Sequence, residues 1–168
     1  ANSGKGKSSL LNFIYGINKN YEGEITIGKE KITEEEIKKI QLSYVFQDLK
    51  LFEKLTVLEN IKIKNQLTDY KTEAEIESLL SKMNLDHKKN SLVGKLSLGQ
   101  QQRVAIIRAL CQPFSFLLMD EPFSHLDEEN IEIIISILKK ELEIRKSGLI
   151  ITSLSDNNYF DYDKILIV

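Results

Sequence analysis

Four apolar residues in succession, Phe116-Leu117-Leu118-Met119, run directly into two acids, Asp120-Glu121. A strand with one face in water alternates apolar and polar side chains, so an unbroken run of this kind predicts a strand buried on both faces. Both faces then need helices over them, which is the layering of an α/β fold with a mostly parallel sheet. The remaining sequence supplies candidates. Lys7 to Tyr15 contains no breaker and sets Leu10, Leu11 and Ile14 on one helical face. Capping boxes at Thr33…Glu36, Thr56…Glu59 and Thr72…Glu75 open further helices, the last with Ile76, Leu79, Leu80 and Met83 at helical spacing. Ser97 to Leu110 is another, and Asp127 is placed to cap a long helix carrying Ile131, Ile134, Ile135 and Leu138 on one side. Strands are predicted over Glu24 to Ile27, Leu42 to Phe46, Leu149 to Thr152 and Lys164 to Val168. Residues 48–96 read as mainly helical. The expected organisation is one domain over 1–168, in which 1–47 and 97–168 form the sheet-bearing core and 48–96 an inserted helical subdomain.

With 168 residues of which 42% are hydrophobic, the chain can bury one core. Its formal charge of −2 is spread as mixed acids and bases along the whole length, which argues against a groove for nucleic acid. No apolar stretch approaches the roughly 18 to 20 residues that span a bilayer, and no signal-like segment opens the sequence, so a soluble, intracellular protein is expected. Cys111, between Leu110 and Pro113, reads as a core residue at a helix end rather than a reactive thiol.

Three segments carry candidate chemistry. In Ser3-Gly4-Lys5-Gly6-Lys7-Ser8-Ser9, glycines let backbone N–H groups approach phosphate oxygens while the helix that starts at Lys7 aims its positive end at them. There Lys7 would neutralise β- and γ-phosphates and the Ser8 hydroxyl would coordinate Mg²⁺. Asp120 and Glu121 stand at the end of a buried strand, where ligands meet α/β sheets; Asp120 would hold Mg²⁺ through water and Glu121 would polarise an attacking water. In Leu96-Ser97-Leu98-Gly99-Gln100-Gln101-Gln102-Arg103-Val104-Ala105, Ser97 caps a helix whose unpaired N–H groups form an anion site, and Gly99 leaves room for another molecule's phosphate. Each segment taken singly also has a plain structural reading: a flexible turn, a strand end, an ordinary capped helix. Their occurrence together, in this order, favours the chemical one.

The third segment resembles the signature motif of the ATP-binding-cassette (ABC) ATPases, usually Leu-Ser-Gly-Gly-Gln, with Leu98 in place of the first glycine. Tyr44-Val45-Phe46-Gln47 is similar to that family's Q-loop and Ser124-His125-Leu126-Asp127 to its D-loop. The resemblance runs from Ser3 to Val168 and implies an ABC-type P-loop NTPase fold. It implies the ATP-binding and hydrolysing subunit of a transporter, with ATP and Mg²⁺ as cofactors. Gln47 would sense Mg²⁺ and the attacking water. Two chains would sandwich two nucleotides, each between one chain's Gly4 to Ser9 and the other's Ser97 to Gln100, with Asp127 at the junction. The partners would be a second ATP-binding subunit and a transmembrane permease, and the site would be cytoplasmic, on the inner face of the membrane. After the strand that ends Ile150-Ile151-Thr152, where the family carries a switch histidine, this chain has Ser153. The chain opens with Ala1 where the loop's first glycine is usual, and the resemblance implies an upstream strand and an adenine-stacking aromatic ahead of that loop. The departures keep a second reading open, a degenerate nucleotide-binding module or fragment with little ATPase activity. A DNA-maintenance ATPase of the same fold would need long coiled coils between loop and signature, and residues 10–95 leave no room for them.

Overall fold

The computed structural model describes residues 6–31, 33, 35, 39–154 and 159–167. Helix α1 (Lys7–Tyr15) is followed by a short antiparallel hairpin, β1 (Thr26–Ile27) and β2 (Glu30–Lys31), then β3 (Leu42–Val45). Helices α2 (Val57–Thr68) and α3 (Glu73–Lys82) and two short 3₁₀ turns (Asp86–Lys88, Val93–Lys95) lead to α4 (Leu98–Leu110). The chain closes with β4 (Phe116–Asp120), α5 (Glu128–Arg145) and β5 (Gly148–Thr152).

The sheet has the order β3-β4-β5, all parallel, with the apolar run at its centre. Because side chains alternate across a strand, β4 splits its residues between two layers. Leu118 joins Leu11 of α1 and Tyr44 on one face, whereas Leu117 and Met119 join a larger cluster on the other, with Val104, Ile107 and Leu110 of α4 and Ile134 and Leu138 of α5. That larger cluster continues without a break into Val57 and Ile61 of α2 and Ile76, Leu80 and Met83 of α3. The helices of 48–96 therefore share apolar packing with the layer that covers the sheet.

Helix starts follow the capping residues. Thr56 and Thr72 each accept from the backbone N–H of the glutamate three residues on, at 3.2 Å, and receive that carboxylate at their own N–H, at 2.7 and 2.8 Å. These reciprocal bonds satisfy donors that a helix leaves unpaired at its first turn, worth about 1 kcal/mol per cap.

Several expectations need correction. Leu10 is 40% exposed, and only Leu11 of the α1 triplet is buried, because the sheet covers a narrower stripe of this helix than the pattern implied. The predicted strand from Glu24 contracts to Thr26–Ile27, turning at Gly28 with φ 63. Residues 164–167 form no strand. Ile165, Leu166 and Ile167 are 68%, 67% and 88% exposed, and among the described residues β5 pairs only with β4, so no ladder takes this segment up. The capping box at Thr33…Glu36 falls partly outside the described residues.

Cys111 closes α4, fully buried in the larger cluster. Burial pushes its thiol up to about 12.

Candidate functional site

The parallel strands β4 and β5 end side by side, with Asp120 in register with Thr152. Asp120 is buried, and its Oδ1 accepts a 2.6 Å bond from the Thr152 hydroxyl. A carboxylate left alone at such a depth would be costly, and the hydroxyl fixes one oxygen while leaving the other available. Glu121, the next residue, takes a left-handed backbone with φ 47, a conformation that side-chain-bearing residues adopt rarely. It is held there from two directions. Its N–H donates to the carbonyl and hydroxyl of Thr152, both at 3.2 Å, and its carbonyl accepts from Gln102 Nε2 at 3.2 Å. This turn aims the Glu121 carboxylate away from the strand and toward Gln47, whose Nε2 lies 3.4 Å from Oε2. That separation is long for a bond to a charged group, which leaves the two side chains adjacent without locking them.

Beside this sheet edge, Gly6 caps α1 with φ 89, and a Cβ there would meet nothing within 4 Å. Lys7, Ser8 and Ser9 form the first turn. The Lys7 Nζ is buried and has no hydrogen-bond partner among the described residues. Buried polar groups are nearly always satisfied, so a buried amino group without a partner, at the positive end of a helix, fits an anionic ligand. Ser3, Gly4 and Lys5 lie outside the described residues. Next to β4, Tyr44 stacks on Phe46 at 4.0 Å between ring centroids. Burial, reinforced by the charges of Asp120 and Asp48, holds its phenol well above the ordinary range.

The Ser97 side chain accepts from the Gln100 N–H at 3.3 Å, and the Gln100 side chain returns a bond to the Ser97 N–H at 3.1 Å. Among the described residues, the hydrogen bonds of Ser97, Gly99 and Gln100 stay within α4. Leu98 is 56% exposed beside them. Gly99 has an intramolecular reason to be glycine: a Cβ there would stand 2.7 Å from the His125 carbonyl oxygen. Gly99→Ala is thus expected to force apart two backbone segments and destabilise the isolated chain by about 1 to 3 kcal/mol. Thermal melting without nucleotide checks this, and an unchanged midpoint would mean that the 123–126 loop yields freely.

Asp127 caps α5, accepting at Oδ1 from the Asn130 N–H (2.9 Å) and the Asn130 amide (2.8 Å), bonds that favour the carboxylate and hold its pKa below the ordinary range. His125 is exposed, with Nδ1 2.9 Å from Ser124 Oγ. Ser153 is exposed just past β5. The sequence alone assigns no role to Thr152, Gln102 or Arg103. Gln102 reaches both Glu121 and the His125 N–H, while Arg103 bonds Met83 O at 2.8 Å and Asn130 Oδ1 at 2.7 Å. Their signals are present, a polar residue at the end of a half-buried strand and two long polar side chains directly after the capped turn. Their partners lie too far along the sequence to be read locally.

A parallel sheet whose central strand ends in two acids, flanked by a glycine-capped helix whose buried lysine has no partner among the described residues, is the architecture of a P-loop nucleotide-binding protein. The family model described as ABC transporter matches residues 2–124, and the chain belongs to that family. It is 37% identical over 148 residues to an aliphatic sulfonates import ATP-binding protein of Bacillus anthracis, covering 88% of this chain and 58% of the relative. It is 36% identical over 148 residues to a xylose import ATP-binding protein of Histophilus somni, covering 82% of this chain and 29% of the relative. A solved dimeric ATP-binding cassette, MJ0796, bound to ADP and Pi, superposes with a TM-score of 0.73 at 33% identity, over 90% of this chain and 71% of that one. The chain thus spans from under a third to somewhat over half of these two curated relatives.

Proposed function

We propose that this chain binds and hydrolyses ATP as the nucleotide-binding subunit of an ABC transporter, and that ATP-dependent pairing of two such subunits drives a transmembrane permease. The observation that carries the reading is the buried Lys7 amino group at the start of α1, which has no hydrogen-bond partner among the described residues. A triphosphate would supply the acceptors that it lacks, and the unpaired backbone donors at the start of α1, after Gly6, would share in holding it. Ser8, Asp120 and Gln47 would hold Mg²⁺, whose charge offsets that of the phosphates when it is bound. Asp120 suits this role because Thr152 occupies only one of its oxygens.

Glu121 orients and polarises the attacking water, with Gln47 alongside. Ser97, Gly99 and Gln100 present the N-terminus of α4 to the phosphates bound by a second subunit, and Asp127 lies in the loop that would face that subunit. Within the single domain, 1–47 and 97–168 act as the nucleotide-binding core and 48–96 as the helical subdomain that meets the permease. Among the described residues no helix is long and apolar enough to cross a membrane, and the proposed membrane contact is made through the permease on its cytoplasmic side. The relatives named for import, and another named for lipoprotein release, fit a subunit of this kind. Sedimentation of the full-length chain with Mg-ATP tests the paired arrangement. A dimer with ATP that dissociates after phosphate release is expected, and a monomer in every nucleotide state would overturn it.

Ser153 limits the rate in this reading. It follows β5 at the sheet edge where the γ-phosphate would lie, and a serine cannot place positive charge on the transferring group. One preorganised donor is worth about 2.7 to 4 kcal/mol, so even a poorly seated imidazole should matter. Ser153→His is expected to raise steady-state phosphate release at least about tenfold at saturating Mg-ATP, with affinity nearly unchanged. Equal rates would remove Ser153 as the limiting position.

A further inference from the structure

Leu49 and Lys50 follow Gln47 closely, and both take left-handed backbone conformations, φ 59 and φ 46. Two consecutive residues with side chains rarely do so, because each Cβ crowds the neighbouring carbonyl. The turn is tight: Leu49 N–H donates to Phe46 O at 3.0 Å and Lys50 N–H to Asp48 O at 2.7 Å, closing around Gln47 and Asp48. Such strain persists only where something outside the turn holds it. Here that is Arg108, in the last turn of α4. Its Nη2 donates to Leu49 O and its Nη1 to Lys50 O, both at 2.7 Å, from a side chain buried among apolar neighbours. Burial alone pulls this guanidinium below its ordinary range, so it is a desolvated cation whose two short bonds go to backbone carbonyls.

We infer that Arg108 is a positioning residue for hydrolysis: it clamps the strained turn at Leu49 and Lys50 and thereby fixes Gln47 against Glu121. The same helix carries Gln102, which holds the Glu121 carbonyl at 3.2 Å. Both side chains of the Gln47–Glu121 pair, 3.4 Å apart, are thus referenced to one rigid body, α4. The inference rests on the roles given to Gln47 and Glu121 above.

Lys50 makes a clean test because it is exposed and its ion pair with Asp48 is lost equally in Lys50→Gly and Lys50→Ala. Only glycine tolerates the left-handed turn without strain. In the full-length chain, Arg108→Gln is expected to lower kcat by about 10- to 100-fold while leaving the ATP dissociation constant within about twofold. Adding Lys50→Gly should restore about fivefold more of that rate than adding Lys50→Ala. A purely structural arginine predicts no difference between the two, and equal rates overturn the inference. Should Arg108→Gln melt too low to assay, the same pair in the Arg108→Lys chain decides it in the same way. Gln47→Ala separates the two levels. If it hydrolyses at the parental rate, the role of Gln47 fails and the inference with it. If it is slow while the glycine and alanine chains match, the inference alone fails.

Discussion

Glu121→Gln is expected to keep nucleotide bound while hydrolysis falls by about 10²- to 10⁴-fold, the usual worth of a positioned general base. The substitution leaves the backbone intact, because the bonds that hold the turn use the Glu121 N–H and carbonyl rather than its side chain. It also preserves a hydrogen-bonding group opposite Gln47, so the local shape survives while the negative charge goes. Binding and turnover should therefore separate, and the ATP-bound dimer should accumulate. Single-turnover phosphate release combined with sedimentation measures both. A Glu121→Gln chain that remains monomeric and hydrolyses at the parental rate would assign the proton transfer to another group.

Lys7→Met should produce effects of opposite sign in the empty and the nucleotide-bound protein. An unsatisfied buried polar group costs about 1 to 3 kcal/mol, and methionine replaces the buried amino group with an apolar chain of similar length. Without nucleotide the variant is expected to melt a few degrees higher, at about 2 to 4 °C per kcal/mol for a chain of this size. With Mg-ATP it should lose about 10²-fold or more in affinity, because the phosphate oxygens lose a charged partner in a partly desolvated site. Calorimetry of binding and a melting curve on the same samples suffice. A melting point that falls without nucleotide would mean that the Lys7 amino group already has a stabilising partner in the empty protein.

Much of this arrangement was legible because it is local. Ser97, Thr56 and Thr72 cap helices through residues only three positions away, and such reciprocal pairs can be read from spacing. The unbroken run at Phe116 to Met119 fixed the central strand of the sheet in the same way. The segment from Lys164 misled because an apolar run states only that a strand is possible, whereas strand formation needs a neighbouring ladder. Gly99 was read as room for a partner's phosphate, yet the nearest obstacle to a side chain is His125 of its own chain. Thr152 went unnoticed since its importance comes from lying across from Asp120, a register that the β4–β5 pairing creates and neither segment announces. The left-handed turn at Leu49 and Lys50 is similarly silent: neither is glycine or asparagine, and the cation that sustains it sits on another helix.

Cys111 gives this molecule a built-in clock. Only a thiolate reacts quickly with alkylating or disulfide reagents, and here the sulfur is both enclosed and held protonated far above neutral pH. Modification in the native state must therefore wait for the C-terminal end of α4 to leave the sheet. Since this is the chain's single cysteine, its labelling rate needs no engineered probe and reports one event, the opening of the layer shared by α2, α3 and α4. Nucleotide that tightens this layer should slow the clock, and the ratio of the two rates would give the free energy that ligand binding transmits to the core.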